Sequence, residues 1–245
     1  MSSFKVTVAY DGTDFVGWQR QASGVSVQAL IEDALEPLDG RRVTVTGAGR
    51  TDAGVHALGQ VASFTLEREV DASTVLRAVN ARLPPDVRIL TAETVAPAFH
   101  ARFDARSKTY RYRIWNVDVV SPFERRYVWH VPGALDVDAM DTAARSLEGR
   151  RDFSAFQAAE NDTATTERTL FSSRVVASPP QLFYEADGDG FLRHMVRTIV
   201  GSLVEVGRGK RPPEWPREVL ESRDRTRAGR TAPASGLFLL GVHYD

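Results

Sequence analysis

The chain has 245 residues, of which 42% are hydrophobic, and its formal net charge at pH 7 is -1. This length can fold into one large core or two modest ones. The absence of cysteine excludes disulfides, thiolate metal sites and a cysteine nucleophile. No apolar run approaches the roughly 18 residues that a membrane span needs, and no signal peptide is evident. We therefore expect a soluble, cytoplasmic protein.

Basic residues concentrate in three stretches of this nearly neutral chain. The stretches are residues 102–113, 193–211 and 217–230, whereas acids gather elsewhere, as at residues 136–141. Any one basic stretch could be an ordinary solvated face. Three of them in one chain favour a basic surface, which is what phosphate binding requires.

The first half of the chain shows alternating and helical hydrophobic patterns separated by turn residues. They predict a strand at 4–10, a helix capped by Ser26 and closed at Asp39-Gly40, strands at 42–46 and 60–66, a helix at 73–83, and a strand at 87–95. This β-α-β-β-α-β order is that of the ferredoxin-like, or split βαβ, unit. A glycine-rich connection from Gly47 to Gly59 joins the second and third strands.

The second half shows the same order of patterns. They predict a strand at 108–115, a helix at 137–147 capped by Asp136, a hairpin of 170–177 with 182–186, a helix at 191–206, a shorter one at 213–220, and a strand at 237–242. We therefore predict an α+β fold with an N-terminal domain (residues 1–105) and a C-terminal domain (residues 106–245). The two ferredoxin-like halves are expected to form a central, mostly antiparallel sheet flanked by helices, with the active-site cleft between them.

The connection between Gly47 and Gly59 carries Arg50, Asp52 and His56. A hairpin seldom needs so many residues, and such loops are often functional, although an aspartate that caps a turn is an open alternative. A carboxylate could act as base, metal ligand or nucleophile. Pairing with Arg50 would keep it ionised, which suits a nucleophile or an electrostatic stabiliser. Few acids lie nearby to complete a metal site.

Two other segments combine basic residues with aromatic or apolar residues. The strand Lys108–Arg113 alternates tyrosines with arginines, a pattern that can stack bases and hold phosphates or place the tyrosines in the core. The predicted helix from Phe191 carries Arg193 and Arg197 beside its apolar stripe. A partly buried arginine there needs an acid or a phosphate as its partner.

Four ordered segments resemble the tRNA pseudouridine synthase A family, and the likeness covers nearly the whole chain. The segment Gly49–His56, with the sequence GRTDAGVH, resembles the family's active-site motif. The other three segments are YDGTDFVGWQ at 10–19, FHARF at 99–103 followed by KTYRY at 108–112, and HMVR at 194–197 with GSLVEVG at 201–207.

The resemblance implies an enzyme that isomerises uridine to pseudouridine at positions 38, 39 and 40 of the tRNA anticodon stem-loop. It also implies a homodimer that uses no metal and no cofactor. Carried over residue by residue, it assigns catalytic roles to Asp52 (the nucleophile), Arg50 and Arg197, and substrate binding to Tyr110, Leu237, Arg193 and His194.

Within this resemblance, Tyr110 packs against the target base and Arg50 occupies the space of the flipped nucleotide. Arg197 pairs with Asp52, and Leu237 lines the uracil pocket. The chain departs from the family pattern at Thr198, where asparagine is expected, and along Ala158 to Glu167.

Three alternatives stay open at this point. One is a relative that performs the same chemistry on a different RNA uridine. Another is a non-catalytic RNA-binding module, although such modules usually expose aromatics on central strands. The last is an aspartate- and histidine-dependent metallohydrolase, for which this sequence offers few ligands.

Overall fold

A computed structural model describes residues 1–158 and 165–245. Within them the chain forms two compact units. The first contains Met1–Arg106 together with Leu239–Asp245, and the second contains Ser107–Phe238. The division drawn from the sequence placed the last strand wholly in the C-terminal domain, whereas Leu239–Asp245 belongs to the first unit.

Both units mix helices with strands, which confirms the predicted α+β class. The strands are β1 (Ser2–Tyr10), β2 (Thr46–Gly47), β3 (His56–Leu66), β4 (Val87–Val95), β5 (Ser107–Trp115), β6 (Trp129–His130), β7 (Gly149–Asp152), β8 (Glu167–Ser178), β9 (Gln181–Gly188) and β10 (Leu237–His243). The helices are α1 (Val27–Asp39), α2 (Ala72–Asn80), α3 (Val137–Arg145), α4 (Met195–Gly207) and α5 (Trp215–Ser222).

The sheet of the first unit has the strand order β4-β1-β3-β10, with β2 paired to β3. Strand β1 runs antiparallel to both β3 and β4. Its side chains alternate between buried and half-buried along most of its length, and Phe4, Val6 and Val8 are fully buried. The β-α-β-β-α-β order predicted for this half is therefore confirmed.

The predicted ends of the first helix are also confirmed. The Ser26 hydroxyl accepts a hydrogen bond from the Ala29 amide, which satisfies one of the amides that a helix start leaves open. Gly40 closes the helix in the left-handed conformation, with φ of 78°.

The strand predicted at 42–46 was wrong, because β2 is only Thr46–Gly47. The reason lies on α1. The Val45 amide donates to the Glu32 carboxylate at 3.1 Å, and the Val45 carbonyl accepts from the Gln28 side-chain amide at 2.9 Å. These helix side chains take the backbone groups that a strand partner would need.

The sheet of the second unit has the order β5-β9-β8-β7, with β6 parallel to β5. The predicted hairpin is present as the antiparallel pair β8 and β9, and Asp136 caps α3 as expected. Strands β6 and β7 were not predicted. The unit is therefore more elaborate than the ferredoxin-like repeat that the sequence pattern suggested.

The long helix of the second unit begins later than predicted. It starts at Met195 rather than Phe191, because His194 adopts a left-handed backbone with φ of 65°. Such a conformation is uncommon for a residue other than glycine. A turn therefore leads into α4, in which the Met195 amide donates to the Leu192 carbonyl at 3.0 Å.

In the part of the chain described here, no helix is long and apolar enough to cross a bilayer. The stretch 158–167, which departs from the family pattern, falls mostly outside the described residues, since these leave out 159–164.

Candidate active site

Asp52 lies in the segment between β2 and β3 of the first unit. It opens a tight turn, in which its carbonyl accepts a hydrogen bond from the Val55 amide at 3.1 Å. Gly54, the third residue of this turn, has a φ of 77°, as a type II turn requires. The Asp52 side chain is half-buried. Asp52 therefore lies at a turn, and its catalytic role stays a prediction.

A buried pair of hydroxyls fixes the residue before Asp52. The Tyr10 hydroxyl, at the end of β1, lies 2.8 Å from the Thr51 hydroxyl. Burial raises the pKa of Tyr10 to about 12, although hydrogen bonds from Thr51 and Gln60 oppose that shift. Gln60 also donates to the Gly49 carbonyl at 2.9 Å. Both sides of Arg50 are thus tied to strands of the sheet.

The loop between β1 and α1, which we call the N-terminal loop, packs against the other side of the turn. Its close approach to the turn depends on two glycines, because they lack a side chain. The Trp18 amide donates to the Thr51 carbonyl at 3.1 Å. A Cβ on Gly17 would lie 2.6 Å from the same carbonyl, and one on Gly12 would lie 1.9 Å from the Val55 carbonyl. Only glycine permits so close an approach.

His56, the first residue of β3, holds the N-terminal loop in place. Its side chain is 1% exposed, and its Nδ1 atom lies 3.0 Å from the Gly12 amide and 3.1 Å from an Asp11 carboxylate oxygen. Nδ1 accepts the amide hydrogen bond of Gly12. These contacts give His56 a positioning role.

Arg50 is exposed. The sequence suggested that it could pair with Asp52, yet no ion pair joins the two side chains among residues 1–158 and 165–245. An outward arginine is available to a ligand instead.

In the second unit, Tyr110 lies on β5 opposite Ala186 of β9. Its ring is buried and meets Phe191 edge to face, with centroids 4.9 Å apart and planes at 70°. Phe191 precedes the His194 turn. This contact joins the aromatic strand and the turn that the sequence singled out separately.

The turn before α4 contains Arg193 and His194, and Arg197 lies on the first turn of the helix. Arg193 is exposed, whereas His194 and Arg197 are half-buried. Arg197 and Ala232 hold each other, because the Arg197 Nε donates to the Ala232 carbonyl at 2.7 Å and the Ala232 amide donates to the Arg197 carbonyl at 3.0 Å.

Leu237 is buried at the start of β10. The residues before it are fixed on Tyr112, whose hydroxyl donates to the Pro233 carbonyl at 2.7 Å. A Cβ on Gly236 would lie 2.6 Å from the Tyr112 ring. Burial raises the pKa of Tyr112, and the positive charges of Arg197 and Arg230 oppose this. Within this unit, Tyr112 therefore contacts the residues that precede Leu237 and also lies within the electrostatic influence of Arg197.

The structure brings the predicted residues together in two groups. Arg50 and Asp52 share the segment between β2 and β3, while Arg193, His194 and Arg197 share the start of α4. That Asp52 meets Arg197, Tyr110 and Leu237 in one site stays a prediction. Sequence reasoning missed Tyr10, Thr51 and Gln60 as supports, because nothing in their local spacing indicates that they meet.

The first basic stretch is largely paired with acids. Three of its cations form ion pairs: Arg106 with Asp245, Arg111 with Glu185, and Arg113 with Glu124. Its contribution to a basic surface is thus smaller than its composition suggests. Arg102, by contrast, is exposed.

Across residues 1–158 and 165–245, no group of three or more histidine, aspartate or glutamate side chains is arranged to hold a metal ion.

Comparison with known proteins covers both groups of residues. A family model described as tRNA pseudouridine synthase matches residues 6–104 and 143–245, which include Arg50, Asp52, Arg197 and Leu237 but not Tyr110. Relatives named tRNA pseudouridine synthase A match the full length of this chain. Those from Pelobacter propionicus and Solibacter usitatus are each 46% identical over all of both chains.

A further relative of that name, from Myxococcus xanthus, is 47% identical over all of this chain and 92% of its own length. Among solved structures, a chain of a Cbf5-Nop10-Gar1 complex matches with a TM-score of 0.36 and 13% identity, over 82% of this chain and 45% of that one; this likeness is too weak to support a conclusion. The family match and the full-length relatives suffice: the chain belongs to the tRNA pseudouridine synthase A family.

Proposed function

We propose that this chain isomerises uridine to pseudouridine in the anticodon stem-loop of tRNA, at positions 38, 39 and 40, with Asp52 as the nucleophile. The observation that carries the proposal is the fixed placement of Asp52. Its turn is bound on one side by Tyr10 and Gln60 and on the other by the N-terminal loop, in a chain whose relatives match it end to end.

The reaction exchanges one bond for another at the same sugar. The bond from C1′ to N1 of uracil breaks, the base turns, and a bond from C1′ to C5 forms. The proton on C5 is lost and N1 gains one, so the base is neither oxidised nor reduced. Such a reaction requires no redox cofactor.

The base must first leave the helical stack, at a cost of about a few kcal/mol. In this proposal the exposed Arg50 fills the space that the base vacates, and the Tyr110 ring stacks on the extruded base. Arg197 offsets negative charge during the reaction, and Leu237 gives the uracil an apolar surface. Arg193 and His194 bind the substrate.

Asp52 can enter this chemistry by three routes. As the nucleophile it attacks either C1′ of the sugar or the base, and in the third route it acts instead as a base that removes a sugar proton. In each of them the carboxylate oxygen is the reacting atom, and a rigid turn serves all three because it lowers the cost of orienting that oxygen.

The test is Asp52→Asn, which preserves size and removes the carboxylate. With tRNA carrying tritium at C5 of uridine, we expect tritium release to fall by at least about 10³-fold, as for loss of a reacting group. Affinity for tRNA should stay within about threefold by filter binding. Asp118→Asn, at an exposed loop aspartate of the second unit, is the matched control and should behave as wild type.

Tritium release by Asp52→Asn near the wild-type rate would overturn the proposal. Mapping pseudouridine in the product tRNA tests the positions separately. Product at another uridine would retain the chemistry and replace the substrate site.

We further propose that the chain acts as a homodimer in the cytoplasm. Light scattering on the purified chain tests the dimer, and a monomer that turns over tRNA at the full rate would contradict it.

A further inference from the structure

One segment singled out by the sequence has no part in the proposed reaction. It is Phe99–Phe103, in the first unit. Three of its side chains, His100, Arg102 and Phe103, form a small cluster at the surface, and we call them the 100–103 platform.

The platform is an exposed aromatic ring backed by a second ring and a cation. Phe103 is 75% exposed. The His100 ring stacks on it, with centroids 4.2 Å apart and planes at 26°. The Arg102 guanidinium lies 5.7 Å from the centre of the Phe103 ring. Exposed aromatics combined with arginine are what proteins use to stack unpaired nucleobases.

Hydrogen bonds hold the platform in shape. The His100 Nδ1 accepts from the amides of Arg102 and Phe103, each at 3.2 Å. The Asp104 carboxylate accepts from the His100 amide at 2.8 Å. An aromatic ring fixed in advance loses little freedom when a ligand stacks on it.

The platform is also anchored to the sheet next to the catalytic segment. Ala101, at its centre, is fully buried, and it packs with Ala48 and Val61. The Ala101 amide donates to the Ser63 hydroxyl at 3.2 Å, and its carbonyl accepts from the Tyr244 hydroxyl at 2.6 Å. Ala48 precedes Asp52 by four residues, so the platform and the catalytic turn share one support.

Positive charge lies beside the platform. A surface hollow of about 380 Å³ is lined by Arg41, Arg42, Phe99 and His100, among other residues. Arg41 is paired with Asp39 and Glu67. Arg42 and Arg102 are exposed and form no ion pair with any residue that the structure describes, so both can meet a phosphate.

Phe123 provides the contrast. It is even more exposed, at 86%, yet it makes no ring or guanidinium contact in residues 1–158 and 165–245. Exposure alone therefore does not distinguish Phe103 as a binding site. The stacked histidine, the guanidinium and the fixed turn together distinguish it from Phe123.

We propose that the 100–103 platform stacks an unpaired nucleobase of the RNA substrate other than the uridine that reacts, with Arg42 and Arg102 contacting the adjoining phosphates. The inference rests on the proposed function for the identity of the RNA. It concerns binding alone and needs no turnover to be tested.

Two tryptophan variants test the stacking directly. F103W places an indole on the platform, and F123W places one at the matched exposed site. Titration with a single-stranded oligouridine should quench the added indole fluorescence of F103W saturably and leave that of F123W unchanged. Absence of quenching in F103W, or equal quenching in both, overturns the proposal.

Phe103→Ala measures the contribution to tRNA affinity. We expect the Kd for tRNA to rise roughly tenfold, with the single-turnover rate at saturating enzyme unchanged, while Phe123→Ala matches wild type. A Phe103→Ala affinity within twofold of wild type overturns the proposal. So does a changed oligomeric state with unchanged RNA affinity, because the platform would then cover a second copy of the chain.

The two proposals fail separately. If wild-type protein binds tRNA and forms no pseudouridine, the proposed function fails, and the quenching experiment still decides whether the platform binds bases.

Discussion

Two segments that contain or lead to proposed site residues, one in each unit, are held by the same two kinds of contact. In the first unit the segment 48–55 carries Asp52, and in the second the segment 229–236 leads to Leu237. Each is bound by a buried tyrosine hydroxyl, from Tyr10 to Thr51 and from Tyr112 to Pro233. In each segment a backbone carbonyl also lies against a glycine, the Val55 carbonyl against Gly12 and the Arg230 carbonyl against Gly201.

The two segments differ in the third support. The side chain that helps to hold segment 48–55 is neutral, since Gln60 donates to the Gly49 carbonyl. Segment 229–236 is held by the Arg197 guanidinium, which donates to Ala232. Because Arg197 is also expected to act in the reaction, its substitution would change position and charge together. The first unit separates these effects, since its supports carry no charge.

The largest expected effect comes from filling the glycine contacts. A Cβ on Gly12 would lie 1.9 Å from the Val55 carbonyl, and one on Gly201 would lie 1.7 Å from the Arg230 carbonyl. Since backbone atoms must shift in both cases, we expect Gly12→Ala and Gly201→Ala each to lower the free energy of unfolding by about 3 kcal/mol or more. Urea unfolding followed by circular dichroism measures this.

Gly241→Ala is the matched control, because its Cβ would meet nothing nearer than 3.8 Å. It should unfold within about 0.5 kcal/mol of wild type. If Gly12→Ala unfolds like this control and retains full turnover, segment 48–55 is not held by the close contact, and the likeness between the two segments fails.

The sequence predicts what local patterns determine. Ser26 and Asp136 cap helices where they were expected to, because a cap needs only its own side chain and the next turn. Asp52 stood out because its glycine-rich surroundings are unusual, and its resemblance to a family motif assigned it a role.

The sequence does not predict what distant residues determine. Tyr10 and Thr51 are 41 positions apart, and no local pattern joins them. The strand expected at 42–46 failed because Gln28 and Glu32 of α1 take the backbone groups of Val45. The start of α4 was misplaced because His194 adopts a conformation that a histidine rarely adopts.

A smaller effect is expected from removing the two tyrosine hydroxyls. Tyr10→Phe and Tyr112→Phe each delete one hydrogen bond and should lower the free energy of unfolding by about 1–2 kcal/mol. Tyr112→Phe should cost more, because the Pro233 carbonyl cannot turn to another donor, whereas the Thr51 hydroxyl can rotate. Urea unfolding at pH 8 ranks the two variants. Equal or reversed costs would mean that the second segment depends mainly on Arg197.

The smallest effect appears only at alkaline pH. Burial raises the pKa of Tyr10 from 10.0 to about 12, so the folded protein keeps its hydroxyl neutral where the unfolded chain ionises it. The stabilisation is complete below about pH 10 and is lost as the pH rises towards 12. Wild-type stability should therefore fall between pH 10 and 11, by about 1 kcal/mol for this residue alone.

Tyr10→Phe removes that part of the fall, and Tyr112→Phe removes another, since burial raises the pKa of Tyr112 as well. Unfolding at pH 8, 10 and 11 gives the slope for each variant. A Tyr10→Phe slope equal to that of wild type would show that the Tyr10 hydroxyl reaches water in the folded state. The Tyr10–Thr51 pair would then be too open to fix Asp52, and the neutral support of the first unit would reduce to Gln60.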